Sequence, residues 1–142
     1  MFLYFEQYIN ILLLYAVYDI AQSAHALLTN GNINMKYINL FEKENVSKLC
    51  YGTLSLSNLQ NFDTMENKVR LLNYAYERGI NFFDTAELYD NYDILRRFIK
   101  QKDRDKIVIA SKSYAYDKNT AEYSINKALK EMNTDYLDVF ML

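Results

Sequence analysis

The stretch INFFDTAELYD, residues 80–90, decides the fold of this chain. Its first residues are mostly apolar and end in Asp84, which is typical of a buried strand in a parallel sheet. Tyr89 follows five positions later, in the connection to the next element. A carboxylate at the end of a buried strand, with a phenol in the following loop, predicts a chemical site at that end of the sheet.

Strands and helices alternate on both sides of this stretch. The predicted strands are 36–40, 46–52, 80–84, 106–112 and 136–142, with a polar turn at 41–45. The predicted helices are 64–78, 92–101 and 119–133. Nearly continuous apolar strands that alternate with helices favour a parallel sheet covered by helices. No GxGxxG or P-loop motif follows a strand, so a barrel of βα units is the better candidate.

The first 34 residues are of a different kind. Residues 1–34 carry only Glu6 and Asp19 as charged side chains. A membrane-spanning helix needs about 20 apolar residues, and the uncharged run 7–18 is shorter than that. An amphipathic or buried helical leader is therefore expected, ended by the turn signal at 30–32. A membrane-associated helix stays open as the sharper alternative.

Charge and cysteine content exclude several classes of function. The formal net charge is −2, and no run of Lys and Arg is long enough to indicate a nucleic-acid surface. Cys50 is the single cysteine, which excludes an internal disulfide and a CxxC metal site. No metal is predicted, and a reducing cytoplasm is the expected compartment.

Helix ends have to be located without strong turn signals, because the chain has no proline and three glycines. Asp63 with Glu66, and Asn119 with Glu122, have the spacing of a capping box. Gly79 stands where a left-handed residue is expected after a helix.

Three side chains with a joint chemical use fall on one rim of the predicted sheet. Asp84 and Lys112 each end a strand, and Tyr89 lies in the loop after Asp84. A nearby ammonium favours the ionised form of a phenol, and a carboxylate can hold that ammonium. Such a phenol can act as a general acid on a carbonyl oxygen, whereas the hydride would have to come from a nicotinamide cofactor. Each residue alone is more often an ion-pair or rim residue than a catalyst.

Four blocks of the sequence resemble successive blocks of the aldo-keto reductase family. They are VSKLCYGT, YAYERGINFFDTAELYD, DKIVIASKS and LKEMNTDYLDVFML, and they cover about Met35–Leu142. The segments LSLSNLQ and SKSYAYD further resemble the bacterial branch that often carries a carboxy-terminal iron–sulfur segment.

The resemblance implies an α/β fold, a partial (β/α)8 TIM barrel of about four strands with three intervening helices. It implies residues 35–142 as the amino-terminal half of that barrel. It also implies NADPH-dependent reduction of a small aldehyde or ketone. In this sequence Asp84, Tyr89 and Lys112 match the catalytic aspartate, general-acid tyrosine and lysine. Gly52 and Thr53, together with Asp84, match residues beside the nicotinamide.

The departures from the family pattern set the functional expectation. The family's catalytic histidine would follow directly after Leu142, and the only histidine, His25, lies in the leader. Asp90 stands where the family commonly has glycine. The family's strands five to eight, which make most cofactor contacts, are not matched. We therefore expect a truncated reductase with little or no carbonyl reduction on its own.

Two other functions are compatible with the sequence. The first is a non-catalytic half-barrel that associates with itself or a partner through the strand edges near 49–53 and 136–142. The second is a protein directed to membranes by its leader, which the shortness of the apolar run disfavours.

Overall fold

The computed structural model describes residues 34–40, 43–60 and 62–142. The predicted helical leader, its closing turn and its membrane-associated alternative lie outside the described residues. The chain divides into two compact units, Met1–Leu49 and Cys50–Leu142.

The first unit contains an antiparallel hairpin of β1 (Tyr37–Leu40) and β2 (Lys43–Ser47). The prediction of one strand over 46–52 was wrong, because β2 begins at Lys43 and ends at Ser47. The Ser47 hydroxyl donates to the Leu49 carbonyl at 2.7 Å. A local side-chain bond of this kind competes with the ladder, and it accounts for the break in the strand.

The second unit is a four-stranded parallel sheet in which helices connect successive strands. The strands are β3 (Cys50–Gly52), β4 (Phe82–Asp84), β5 (Val108–Lys112) and β6 (Val139–Met141), in that order across the sheet. The helices are α1 (Met65–Glu77), α2 (Tyr92–Ile99) and α3 (Lys118–Met132). The predicted α/β class, with parallel strands and three intervening helices, is confirmed.

The core of this unit lies between the sheet and its helices. Phe83 of β4 and Phe98 of α2 are both fully buried, and their rings meet edge to face at 4.8 Å. Such an aromatic pair stabilises the fold by about 1 kcal/mol beyond the contribution of the apolar area that it buries. Successive side chains of a strand point to opposite faces. Because Phe83 packs against the helices, the side chain of Asp84 lies on the opposite face of β4.

The helix caps differ from their predicted positions. Thr64, not Asp63, caps α1 and accepts a bond from the Asn67 N–H at 3.2 Å. Asp117, not Asn119, caps α3 and accepts from the Thr120 N–H at 2.9 Å. Each cap is a short polar residue with extended backbone that stands directly before the helix, which the spacing rule does not detect.

The carboxyl end of α1 follows the prediction. Gly79 adopts φ 92°, a conformation that a residue with Cβ rarely takes. The Ile80 N–H then donates to the Ala75 carbonyl at 3.1 Å, which satisfies one of the last helix carbonyls. This turn returns the chain from α1 to the start of β4.

Arg104 joins the segments that lead into β5 and β6. Its Nη2 lies 2.8 Å from Asp138 Oδ2, and the same oxygen accepts the Ile109 N–H at 2.9 Å. Arg104 Nε donates to Thr134 Oγ1 and Nη2 also donates to the Tyr136 carbonyl. These bonds lie at the amino ends of the strands. They fix the strand register at the end of the sheet opposite the rim predicted to carry the chemistry.

Candidate active site

The parallel register brings the predicted residues to one edge of the sheet. Gly52 pairs with Asp84, and Asp84 pairs with Ala110. Lys112 lies two residues beyond Ala110, so its long side chain can return to Asp84 across the sheet edge. Tyr89 lies in the 3-10 turn Glu87–Tyr89, which follows β4.

Lys112 and Asp84 form a close ion pair. Lys112 Nζ lies 2.9 and 2.8 Å from the two Asp84 carboxylate oxygens and 3.1 Å from the Thr85 carbonyl. A lysine ammonium has three N–H donors, so these three acceptors can use all of them. The side chains keep 33% and 28% of their surface exposed, so solvent screens the pair and its contribution to stability is modest. The pair holds the ammonium in place.

The Tyr89 ring lies against this ammonium. Lys112 Nζ is 4.9 Å from the Tyr89 ring centroid, within the range of a cation–π contact. The structure therefore brings all three predicted catalytic residues together. The ammonium acts on the ring through its charge, since its hydrogen bonds go to Asp84 and Thr85.

The turn that carries Tyr89 is fixed on the side of α3. Glu87 Oε1 lies 3.3 Å from Lys127 Nζ. Partial burial alone would lower the pKa of Lys127, but the hydrogen bond and charge of Glu87 outweigh it and raise that pKa. On the next turn of chain, the Tyr92 hydroxyl bonds Ser111 Oγ at 2.8 Å, and burial raises the pKa of Tyr92. Both α3 and β5 thus hold the ends of the loop.

Asp90 has a strained backbone directly after Tyr89. Its φ and ψ are both 48°, in the left-handed region that favours glycine. Position 90 therefore requires the conformation that glycine adopts most easily, because the chain turns there from the Tyr89 loop into α2.

A buried network links Thr53, Thr85 and Asn91, and the sequence reasoning assigned it no role. Asn91 Nδ2 donates to the Thr53 carbonyl at 2.8 Å and lies 3.1 Å from Thr53 Oγ1. The Thr85 hydroxyl donates to Asn91 Oδ1 at 2.8 Å, and the Thr53 hydroxyl donates to the Asp84 carbonyl at 3.0 Å. The only sequence signal was an Asn before a helix, which suggests a cap. Asn91 makes no side-chain cap bond in the structure.

The space beside Gly52 is open. A Cβ built at Gly52 would meet no atom within 4 Å, so there is open space beside it at the sheet edge. The Thr53 side chain is buried and its hydroxyl is used by Asp84 and Asn91. Of these two residues, Gly52 is thus the one with open space for a ligand.

Cys50 is a neighbour of the site rather than a reactive group. Burial raises the pKa of its thiol above the ordinary value, and the nearby Asp84 charge acts in the same direction. The thiol therefore stays protonated at neutral pH, and protonated thiols are poor nucleophiles.

Two kinds of feature are absent from the described residues. Across 34–40, 43–60 and 62–142, no cluster of three or more His, Cys, Asp and Glu side chains could hold a metal ion. Within the same residues, no helix is both long and apolar enough to cross a membrane.

Comparison with known proteins gives a consistent set of relatives. The chain is 29% identical over 110 residues to "Probable aldo-keto reductase 1" of Glycine max, covering 67% of this chain and 32% of that protein. The thermostable aldo-keto reductase Tm1743, solved with the inhibitor epalrestat, matches with a TM-score of 0.67 and 27% identity, over 75% of this chain and 42% of that one.

A third relative was solved with a nicotinamide cofactor. It is the aldo/keto reductase of Klebsiella pneumoniae, in complex with NADP and acetate. It matches with a TM-score of 0.67 and 25% identity, over 76% of this chain and 39% of that one.

These matches agree with the parallel α/β fold of the chain. The chain spans about a third of the length of the curated relative it matches. The sequence pattern of the "Aldo/keto reductase family" matches residues 48–142, which contain the four parallel strands and all the predicted site residues. The chain belongs to the aldo/keto reductase family.

Proposed function

We propose that Asp84, Tyr89 and Lys112 form the proton-donating part of an NADPH-dependent carbonyl-reductase site. The observation that carries the proposal is the position of the Lys112 ammonium. It is held by both Asp84 oxygens and lies 4.9 Å from the centre of the Tyr89 ring. The substrate class is a small aldehyde or ketone.

The three side chains have separate tasks in this proposal. NADPH, when bound, would supply a hydride to the carbonyl carbon. Tyr89 would give its phenolic proton to the carbonyl oxygen as general acid. Lys112 would stabilise the phenolate that remains, because a positive charge favours the ionised form of a phenol. Asp84 would hold the ammonium in place.

Gly52, Thr53 and Asp84 would hold the nicotinamide end of the cofactor. The open space beside Gly52 supports this assignment. The NADP in the structure of the Klebsiella pneumoniae relative supports the choice of cofactor.

We further propose residues 35–142 as the amino-terminal half of the barrel, 1–34 as a separate leader, and the cytoplasm as the compartment. With about a third of a relative's length, we expect the chain alone to bind NADPH weakly and to turn over little.

The proposal is tested on the 142-residue chain by NMR titration with NADPH. We expect the amide signals of Gly52 and Thr53 to shift, because the cofactor ring would lie beside them. Any aldehyde-dependent NADPH oxidation should fall to background in Tyr89→Phe. It should persist in Tyr116→Phe, which removes the same hydroxyl from a side chain that is 90% exposed. Shifts confined to other residues, or oxidation that survives Tyr89→Phe, would contradict the proposal.

A non-catalytic half-barrel that associates through its edges is the second candidate. The observation that favours it is the sheet order, in which β3 and β6 are the outer strands of the described sheet. Outer strands offer backbone groups for pairing with another chain. Absence of any NADPH-induced shift, together with self-association, would favour this candidate over the reductase.

A further inference from the structure

We propose that Asn91 is a positioning residue that holds the Tyr89 turn against the Asp84–Lys112 pair. The inference rests on the proposed function for its catalytic meaning and on the structure for its geometry. Asn91 is the second residue after Tyr89 and is 1% exposed. A buried carboxamide with satisfied donors and acceptor fixes the backbone that carries it.

The hydrogen bonds of Asn91 lead to two neighbouring strand ends. Its Nδ2 reaches the carbonyl and hydroxyl oxygens of Thr53, directly after β3. Its Oδ1 accepts from the hydroxyl of Thr85, directly after β4. One side chain therefore ties the loop that follows Tyr89 to the ends of β3 and β4.

The same network continues into the ion pair. The Thr53 hydroxyl donates to the Asp84 carbonyl, and the Thr85 carbonyl accepts from Lys112 Nζ. Asn91 is thus connected through Thr53 to the main chain of Asp84, and through Thr85 to the ammonium of Lys112. A shift of Asn91 would move the Tyr89 turn relative to Lys112, because Thr53 and Thr85 are themselves anchored to the sheet.

The strained residue between them explains why such an anchor is needed. Asp90, between Tyr89 and Asn91, has a φ of 48°. Glycine adopts this conformation without steric cost, whereas aspartate does not. Conformations of this kind persist only where surrounding contacts over-determine them. The buried bonds of Asn91 supply those contacts on one side of Asp90, and the Glu87–Lys127 bridge supplies them on the other.

The test uses Asn91→Asp, which has nearly the same shape. The carboxylate can still accept from Thr85 but cannot donate to Thr53. The measured quantity is the ring-current shift that Tyr89 imposes on the Lys112 ε-methylene protons in the NMR spectrum of the whole chain. Tyr89→Leu identifies that shift. We expect Asn91→Asp to lose most of it, while signals of the Tyr92–Ser111 contact show that the sheet and α2 remain folded.

The matched control is Asn119→Asp, the same change at an exposed position of α3, which should keep the full shift. A folded Asn91→Asp that keeps the shift would overturn the inference. If Asn91→Asp does not fold, Thr53→Ser and Thr53→Val replace it. Ser keeps the hydroxyl and should keep the shift, Val should lose it, and equal shifts in the two would overturn the inference.

Aldehyde reduction separates this inference from the proposed function. If the reductase proposal holds, Asn91→Asp should lower kcat by about 10- to 100-fold, since small displacements of a catalytic group have effects of that size. The KM for NADPH should change far less. If aldehyde reduction survives Tyr89→Phe, but the ring-current shift still depends on Asn91, the proposed function fails and the positioning role stands.

Discussion

Asp90 is the residue whose conformation most directly affects the candidate site. It occupies the left-handed region with φ and ψ of 48°, between the Tyr89 turn and the buried Asn91. Aspartate tolerates this region better than most residues, because its short side chain can bond locally, but glycine tolerates it best. Asp90 therefore places backbone strain next to the turn that orients the Tyr89 side chain.

Substitutions at Asp90 should rank in an order set by this strain. We expect Asp90→Gly to have a higher free energy of unfolding than Asp90→Ala by about 1 kcal/mol. Urea unfolding of the two variants measures the difference. The control is the same pair at Asp93, in the first turn of α2, where helix propensity should reverse the order. Asp90→Ala as stable as Asp90→Gly would contradict the strain.

The types of the helices and strands were predicted correctly from the sequence, whereas their first and last residues were not. Within residues 50–60 and 62–142, apolar periodicity located the three helices and the four parallel strands, because each buries one face or both. It joined β3 to the end of β2 in one predicted strand. It overran the ends: the predicted strand 136–142 is reduced to Val139–Met141. Arg104 accounts for part of this loss, since it bonds the Tyr136 carbonyl and the Asp138 side chain just before the strand. Such bonds depend on residues distant in sequence.

The cap of α3 should give the helix a pH-dependent stability. The Thr120 N–H lowers the pKa of the Asp117 carboxyl below its usual value. The carboxylate therefore contributes stability above the ordinary aspartate pKa of about 3.9, and this contribution is lost as the pH falls through the lower folded value. Asp117→Asn keeps a neutral cap.

The measurement is the urea midpoint of both proteins between about pH 6 and pH 2. We expect the wild-type chain to lose more stability than Asp117→Asn on acidification, because only its cap takes up a proton. Equal losses in the two proteins would show that the Asp117 charge does not contribute.

The Arg104 cluster should be a major contributor to the stability of the sheet. Its ion pair with Asp138 is largely buried, with 16% and 4% of the two side chains exposed. Arg104→Ala would leave the Asp138 carboxylate without its cation, which typically costs about 3 kcal/mol or more. Arg96→Ala, at an exposed position of α2, should cost less than about 0.5 kcal/mol. Similar urea midpoints for the two variants would contradict this role.

Across the whole molecule, the positions of the candidate site residues were easier to predict than the hydrogen bonds that support them. The ends of consecutive parallel strands meet at one edge, so Asp84, Tyr89 and Lys112 could be grouped from their positions alone. The Asn91 network could not, because it joins residues up to 38 positions apart through hydrogen bonds that leave no periodic signal.

Association through the outer strands should depend on concentration. We expect the average mass in sedimentation to rise with protein concentration. Leu142→Lys, beside β6 and 75% exposed, should weaken the association by placing a charge at the edge. Leu59→Lys makes the same change at a residue that is 68% exposed in the loop before α1 and should have no effect. A monomer at all concentrations would contradict the association.

We propose that Tyr89, placed against the Asp84–Lys112 pair, donates the proton in carbonyl reduction. The most direct test is kcat in a hybrid enzyme in which residues 50–142 replace the matching segment of the Klebsiella pneumoniae relative. We expect Tyr89→Phe to lower kcat for an aldehyde by about 100-fold or more. Tyr116→Phe should leave kcat within about twofold. A Tyr89→Phe hybrid whose kcat is likewise unchanged would contradict the claim.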